Sequence, residues 1–329
     1  MLRRSFVFSG LAAAASAVTG CSRRKTTARR QVQVGLTPYL SMSPFHVAKE
    51  SGYFSREGLD IEPSQFTEAL QTVPLLAAGK LDVGFIANSP SLINSIAQGA
   101  RVRIVAAREA ATPCSNAGRI FVSRKRFPNG VQELHQLKGK TFTVVSFTSR
   151  FMLDVLLEHY GMRREDVRTE RMNNQEGLAA LQAGGVDAVI ASSTDLTQAA
   201  AFAQLAPGPS FTAILPGFQF SFIVFGRRLL EGDPESGRSF LRAYFQGLGD
   251  FLHGKTPRFM RQYADANHLD PHVVETQCRN TMSADGAIRT ADLDRFIHWC
   301  VANKYSPKII EPASLIDARF LGPAKGDNS

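Results

Sequence analysis

The sequence predicts an α/β protein of two similar lobes, and three observations carry that reading. Short apolar strands alternate with helical patterns almost without a break. The alternation restarts near residue 140. Two blocks offset by 105 positions also match in order: Ala78-Gly79-Lys80-Leu81-Asp82-Val83-Gly84-Phe85-Ile86 and Ala183-Gly184-Gly185-Val186-Asp187-Ala188-Val189-Ile190-Ala191. With 329 residues the chain is long enough for two lobes with separate cores. Its 44% hydrophobic and 20% charged residues exclude a mainly disordered, collagenous or coiled-coil protein.

In chain order, the first 21 residues read as an export signal. Arg3-Arg4 form a basic start, Phe6 to Val18 is apolar, and Val18-Thr19-Gly20-Cys21 resembles the bacterial lipobox, whose cysteine is lipidated. Arg3-Arg4-Ser5-Phe6-Val7 also resembles a twin-arginine core, so general secretion and twin-arginine export both stay open. Residues 22–30 then form a basic tether beside a membrane. Residues 1–30 hold seven of the 38 bases and no acid, which leaves a net of only +2 on the remainder. The total of +9 is therefore no phosphate-tracking surface, and no nucleic-acid partner is expected.

Gln31–Leu36 reads as a strand, Pro44–Ser51 as a helix closed by Gly52, and Ile61 starts a second strand. Ala69–Ala78 is a helix, Val83–Ile86 a buried strand, Ser89–Gln98 a helix and Val102–Ala107 a strand. After the restart come strand Lys140–Ser146, helix Ser149–Tyr160, extended Val167–Met172, helix Gln175–Ala183 and strand Val189–Ala191. A helix over Thr194–Leu205 is expected to stop at Pro207-Gly208-Pro209. Phe220–Phe225 returns the chain, and helices follow at Glu235–Leu252, Thr256–Ala266, Pro271–Arg279 and Ala291–Asn303. Crossovers near Ile120–Val122 and Phe220–Phe225 predict a two-stranded hinge. The expected division is 31–117 plus 222–329 for the first lobe and 118–221 for the second.

Val34-Gly35-Leu36-Thr37-Pro38, Val47-Ala48-Lys49-Glu50-Ser51-Gly52-Tyr53-Phe54 and Glu57-Gly58-Leu59-Asp60-Ile61 resemble periplasmic substrate-binding proteins of the nitrate, sulfonate and taurine transport type. That group includes relatives that bind thiamine-pyrimidine precursors. Ala78-Gly79-Lys80-Leu81-Asp82 and Leu137-Lys138-Gly139-Lys140 continue the resemblance, which covers nearly all of 31–322. It implies a bilobal type II binding-protein fold that closes on a small solute. The partners it implies are an ABC permease and its ATPase. A monomer without cofactor or metal is expected.

Ligands of open α/β sheets sit beyond the carboxyl ends of strands, where helix N-termini present free N–H groups. Such positions hold Thr37, Tyr39, Ser41, Asn88, Ser89 and Ser91 in the first lobe, and Ser146, Thr148, Ser149, Arg150, Ser192, Ser193, Thr194 and Asp195 in the second. Each small polar residue can equally be a plain helix cap. Arg150 suits a sulfonate, carboxylate or phosphate, whereas Asp195 suits an amine or aminopyrimidine. Both classes stay open on residues alone. Phe45, Phe147, Phe218, Gln219 and Phe220 complete the candidate walls.

No G-x-S-x-G, Walker or H-E-x-x-H motif occurs, and His268 and His272 are separated by Pro271. Asp82 and Asp187 follow helix-ending glycines in both repeats and read as turn-fixing residues, not an acid/base pair. Trp299, with Ile297 and Cys300, reads as helix packing. Cys114, Cys278 and Cys300 show no zinc spacing, and a Cys278–Cys300 bridge stays open. The expectation is therefore a solute receptor and not an enzyme. An enzyme or a ligand sensor on the same scaffold is the alternative.

Overall fold

The computed structural model describes residues 29–37, 39–112, 117–191, 204–266 and 281–321. The signal, Cys21 and most of the tether lie outside that set, as do Cys114, His268, His272, Cys278 and the helix expected at Pro271–Arg279. The chain first runs β1 (Arg30–Leu36), α1 (Ser43–Glu50), α2 (Tyr53–Arg56), β2 (Leu59–Gln65), α3 (Thr72–Ala77), β3 (Val83–Ala87), α4 (Pro90–Ala97) and β4 (Arg103–Ala110). Next come β5 (Arg119–Ser123), β6 (Thr141–Val144), α5 (Phe147–His159), β7 (Arg168–Arg171), α6 (Asn174–Ala183), β8 (Ala188–Ala191) and β9 (Leu205–Ser210). The remainder is α7 (Phe211–Ile214), β10 (Gln219–Phe225), α8 (Pro234–Leu252), α9 (Pro257–Ala266), β11 (Thr281–Met282) and α10 (Thr290–Ala302).

Two sheets result, one ordered β2-β1-β3-β10-β4-β11 and the other β7-β6-β8-β5-β9. The plan repeats. A first strand lies between two parallel neighbours, and the strand laid down just after each crossing, β5 or β10, runs antiparallel between its neighbours. The duplicated block shows why the repeats fold alike. Gly79 and Gly184 take φ of 70° and 80°, a left-handed turn that other residues adopt at a cost. The aspartate three residues on then grips the middle strand of the parallel trio, β1 or β6: Asp82 Oδ2 accepts from Gln33 N at 2.8 Å, and Asp187 Oδ2 from Thr141 N at 2.9 Å. Each carboxylate is balanced by a cation, Arg228 for Asp82 and Arg126 for Asp187. Both aspartates are the turn-fixing residues that the spacing predicts.

Three expectations need correction. Leu205 and Pro207-Gly208-Pro209 form the edge strand β9, paired with β5, instead of a helix end and a breaker. A sheet edge tolerates proline because no neighbour needs its missing N–H. Residues 192–203 of that expected helix lie outside the described set. Ile120–Val122 and Phe220–Phe225 are interior strands of their own sheets, not crossovers. A short apolar run reads the same in either place. The hinge pairs the neighbouring segments instead, with Ala111 N donating to Phe218 O at 2.8 Å and Gly217 N to Ala111 O at 2.6 Å.

The cores are also less separate than length suggests. One apolar cluster joins Leu76, Ile93 and Ile104 to Phe142 and Leu156 through Phe151, Phe218 and Phe296. A second lies between the first sheet and α1, α2 and α8, around Phe45, Phe54, Phe85 and Phe240, and a third, smaller one packs α6 on the second sheet around Phe121, Leu178 and Leu181. There α8 approaches α1 so closely that a Cβ at Gly247 would lie 2.5 Å from the Pro44 carbonyl oxygen. Cys300 is a free buried thiol, and burial pushes it up to about 12. Among the described residues, no helix is long and apolar enough to cross a membrane.

His46 on α1 stacks on Phe259 of α9, with ring centroids 4.5 Å apart. Burial, helped by Lys49, lowers it from 6.5 to about 4, so the native ring is neutral through that range while the unfolded one takes a proton. Stability is therefore lost as pH falls from 6.5 to 4, by up to about 3 kcal/mol for this group. His46→Phe keeps the stack and removes the titration. Urea melts across that range should show the variant losing correspondingly less stability than the parent.

Candidate functional site

The carboxyl ends of the parallel strands in the two sheets meet. Thr148 at the start of α5 donates its hydroxyl to the Asn88 carbonyl just past β3, at 3.0 Å. Beside it, Arg171 at the end of β7 pairs with Glu68 beyond β2 at 3.0 Å. The contacts join the end of β3 to the start of the helix after β6, and the end of β2 to that of its counterpart β7. They place the candidate cleft between the lobes, in front of the hinge.

Thr37, Asn88, Thr148 and Ser149 are buried there. Asn88 is fixed by its own N–H to Phe220 O at 2.8 Å, and its carboxamide nitrogen lies 3.4 Å from Gln219 O. Ser89 caps α4, accepting from Leu92 N at 3.3 Å. Ser146 and Ser149 form a reciprocal capping box on α5, each hydroxyl accepting the other's N–H, at 3.2 and 2.9 Å. The plain capping reading thus describes all three serines, while their helix N-termini still point into the meeting of the lobes. Tyr39 is 42% exposed, with its hydroxyl 3.4 Å from Thr67 O. Ser41 contributes its carbonyl, which accepts from Arg108 Nη1 at 2.9 Å.

Other predicted residues are engaged in packing. Arg150 turns along its own helix, donating from Nε to Asp154 at 3.1 Å and from Nη1 to Thr169. Phe218 is 2% exposed, with its ring against Phe151 and Phe211, and Phe45 is core. Gln219 is held at both ends of its carboxamide, by Ala287 O at 2.8 Å and Arg289 N at 2.7 Å. Phe147 lies edge-on to Tyr305 at 5.0 Å. Ser192, Ser193, Thr194 and Asp195 lie outside the described residues.

Two features escaped the residue-level reading. The Glu68–Arg171 pair joins equivalent strand ends of the two repeats, and laying the repeats over each other would have set them opposite. The second is a buried ion pair, Arg108 with Glu109, at 2.5 Å. A register shift in the β4–β10 ladder sets Glu109 opposite Ser221 and Ala107 opposite Phe222, leaving Arg108 as a bulge. Arg108 also donates to Ser221 Oγ from Nε and Nη2, at 3.0 and 2.7 Å. It ties the loop after β1 to the start of β10. Two adjacent charges inside the apolar run Val102–Ala111 were the available signal.

Two related lobes with facing strand ends define a periplasmic-binding-protein fold. The chain belongs to the NMT1/THI5-like family, whose profile matches residues 40–254, more than half of the sequence. Its fold is similar to the alkanesulfonate-binding protein SsuA from Xanthomonas axonopodis pv. citri bound to MOPS, with TM-score 0.71 and 18% identity over 88% of this chain and 99% of that one. In sequence it is 31% identical over 159 residues to a protein of Brucella abortus described as a binding protein, covering 48% of this chain and 46% of that one. It is 29% identical over 135 residues to 4-amino-5-hydroxymethyl-2-methylpyrimidine phosphate synthase THI11 of Saccharomyces cerevisiae, covering 41% of this chain and 37% of that one. The chain thus spans less than half the length of either curated relative.

Proposed function

We propose that this chain is the solute receptor of an ABC importer, exported and held at a membrane surface through lipidated Cys21. Its two lobes, which part at the Ala111–Phe218 hinge, close over a small anionic or heteroaromatic solute and hand it to a permease served by an ATPase. The observation that carries the reading is the Thr148–Asn88 contact, which joins the helix-start loops of the two repeats across the candidate cleft. Thr37, Asn88, Ser89, Ser146, Thr148 and Ser149 would line the solute, with Ser192, Ser193 and Asp195 completing the second lobe. The likeness to an alkanesulfonate-binding protein supports the transport class. Ligand closure of this kind is a population shift between open and closed forms and needs no covalent step.

A second reading, an enzyme on the same scaffold, is favoured by the similarity to the pyrimidine phosphate synthase. The two separate in one experiment. Protein lacking residues 1–21 is melted against a panel of alkanesulfonates, nitrate, aminopyrimidines and carboxylates, and the stabilising compound is then recovered. A receptor raises the melting temperature and returns the compound unchanged; a chemically altered compound establishes the enzyme. Thr148→Val removes the inter-lobe hydrogen bond with little change of shape. It should weaken solute binding about five-fold, equivalent to about 1 kcal/mol, while the fold stays intact by circular dichroism.

A further inference from the structure

Beyond the first turn of α5, and so outside the cleft, a cavity of about 440 Å³ opens between α5 and α10. Small-molecule sites usually span about 300–1,000 Å³. Its apolar wall is Phe151 and Trp299, whose rings meet edge-on at 5.6 Å, with Met162 beside them. Most of its charges already have partners. Asp154 accepts from Arg150, from Arg164 and from the Trp299 indole N–H at 2.9 Å. Arg164 lies over the Trp299 ring at 5.9 Å, and His298 is within 3.4 Å of Asp294.

Two lining charges remain, Arg295 on α10 and Glu158 on α5. Both are exposed, and neither forms an ion pair among the described residues. One cation and one carboxylate without partners, on opposite walls of an aromatic-sided cavity, are matched by a single molecule carrying the reverse pair. We propose that this cavity is a second small-molecule site, taking a zwitterion with an aromatic body. Its carboxylate meets Arg295, its ammonium meets Glu158, and its ring lies against Trp299. Charge-assisted contacts of this kind set orientation, while the rings supply buried area.

Trp299 is the one tryptophan in the 329 residues, so its emission reports on this wall directly. The full chain is titrated with L-phenylalanine, which is transparent at tryptophan excitation wavelengths. Phenylacetate, lacking the ammonium, and phenethylamine, lacking the carboxylate, are run alongside. A saturable change with L-phenylalanine is expected, with each single-charge probe about ten-fold weaker. Glu158→Gln should erase the preference over phenylacetate, and Arg295→Gln that over phenethylamine. Because both side chains are exposed, the variants should keep the parent melting temperature, which checks their folding. No saturable change at millimolar L-phenylalanine, an equal response to all three probes, or preferences unmoved in both variants would each overturn the assignment.

Discussion

Arg108→Met is expected to lower the unfolding free energy by about 3–5 kcal/mol, the usual cost of removing one partner of a buried ion pair. Arg108 and Glu109 have side chains only 6% and 4% exposed, so water does not replace the lost contact. The guanidinium also holds Ser221 Oγ and the Ser41 carbonyl, so three segments lose a common tether: the loop after β1, the bulge in β4 and the start of β10. Urea denaturation measures the loss, and a change below about 1 kcal/mol would contradict this role for the pair. Replacing both partners separates charge from packing. Arg108→Met with Glu109→Leu should recover much of the stability, since an apolar pair of similar volume carries no desolvation cost. The double variant still lacks the bond to the Ser41 carbonyl, so its solute binding should stay weak after its stability returns.

Asp154→Ala should cost about 3 kcal/mol, for a different reason. Its carboxylate gathers Arg150, Arg164 and the Trp299 indole, and thereby fastens α5 to the C-terminal helix α10. Alanine leaves an indole N–H and two guanidiniums without their acceptor in a half-buried seam. Trp299 emission should shift to the red as the seam admits water, and the thermal midpoint should fall with it. Asp154→Asn keeps an acceptor oxygen and should recover part of both changes. An unchanged emission maximum in Asp154→Ala would show that the carboxylate does not hold the indole.

The duplicated architecture was legible in the sequence because its signals are local. A glycine in the left-handed region closes a helix, an aspartate three residues on pins a strand, and a buried strand follows, all within nine positions of each copy. Ser89 and Ser146 were likewise findable, because a helix start is written in its cap. What escaped depends on distant partners. Arg150 stands at a helix start, as a ligand cation would, but Asp154 one turn on and Thr169 on β7 draw it away. Gln219 stands among wall candidates in the sequence, yet the segment 287–292 holds it. Trp299 read as packing, and its bond to Asp154 appears only when α10 lies across α5. Pro207-Gly208-Pro209 reads as a break, and only its place at a sheet edge makes it part of a strand.

The proposed receptor function requires the two repeats to bend toward each other about the Ala111–Phe218 ladder and trap one solute. Small-angle X-ray scattering of the protein lacking residues 1–21, alone and saturated with the compound that raises its melting temperature, tests this most directly. The radius of gyration should fall on saturation, as the lobes swing together about the bonds between Ala111 and residues 217–218. Identical scattering curves with and without a demonstrably bound solute would contradict the claim.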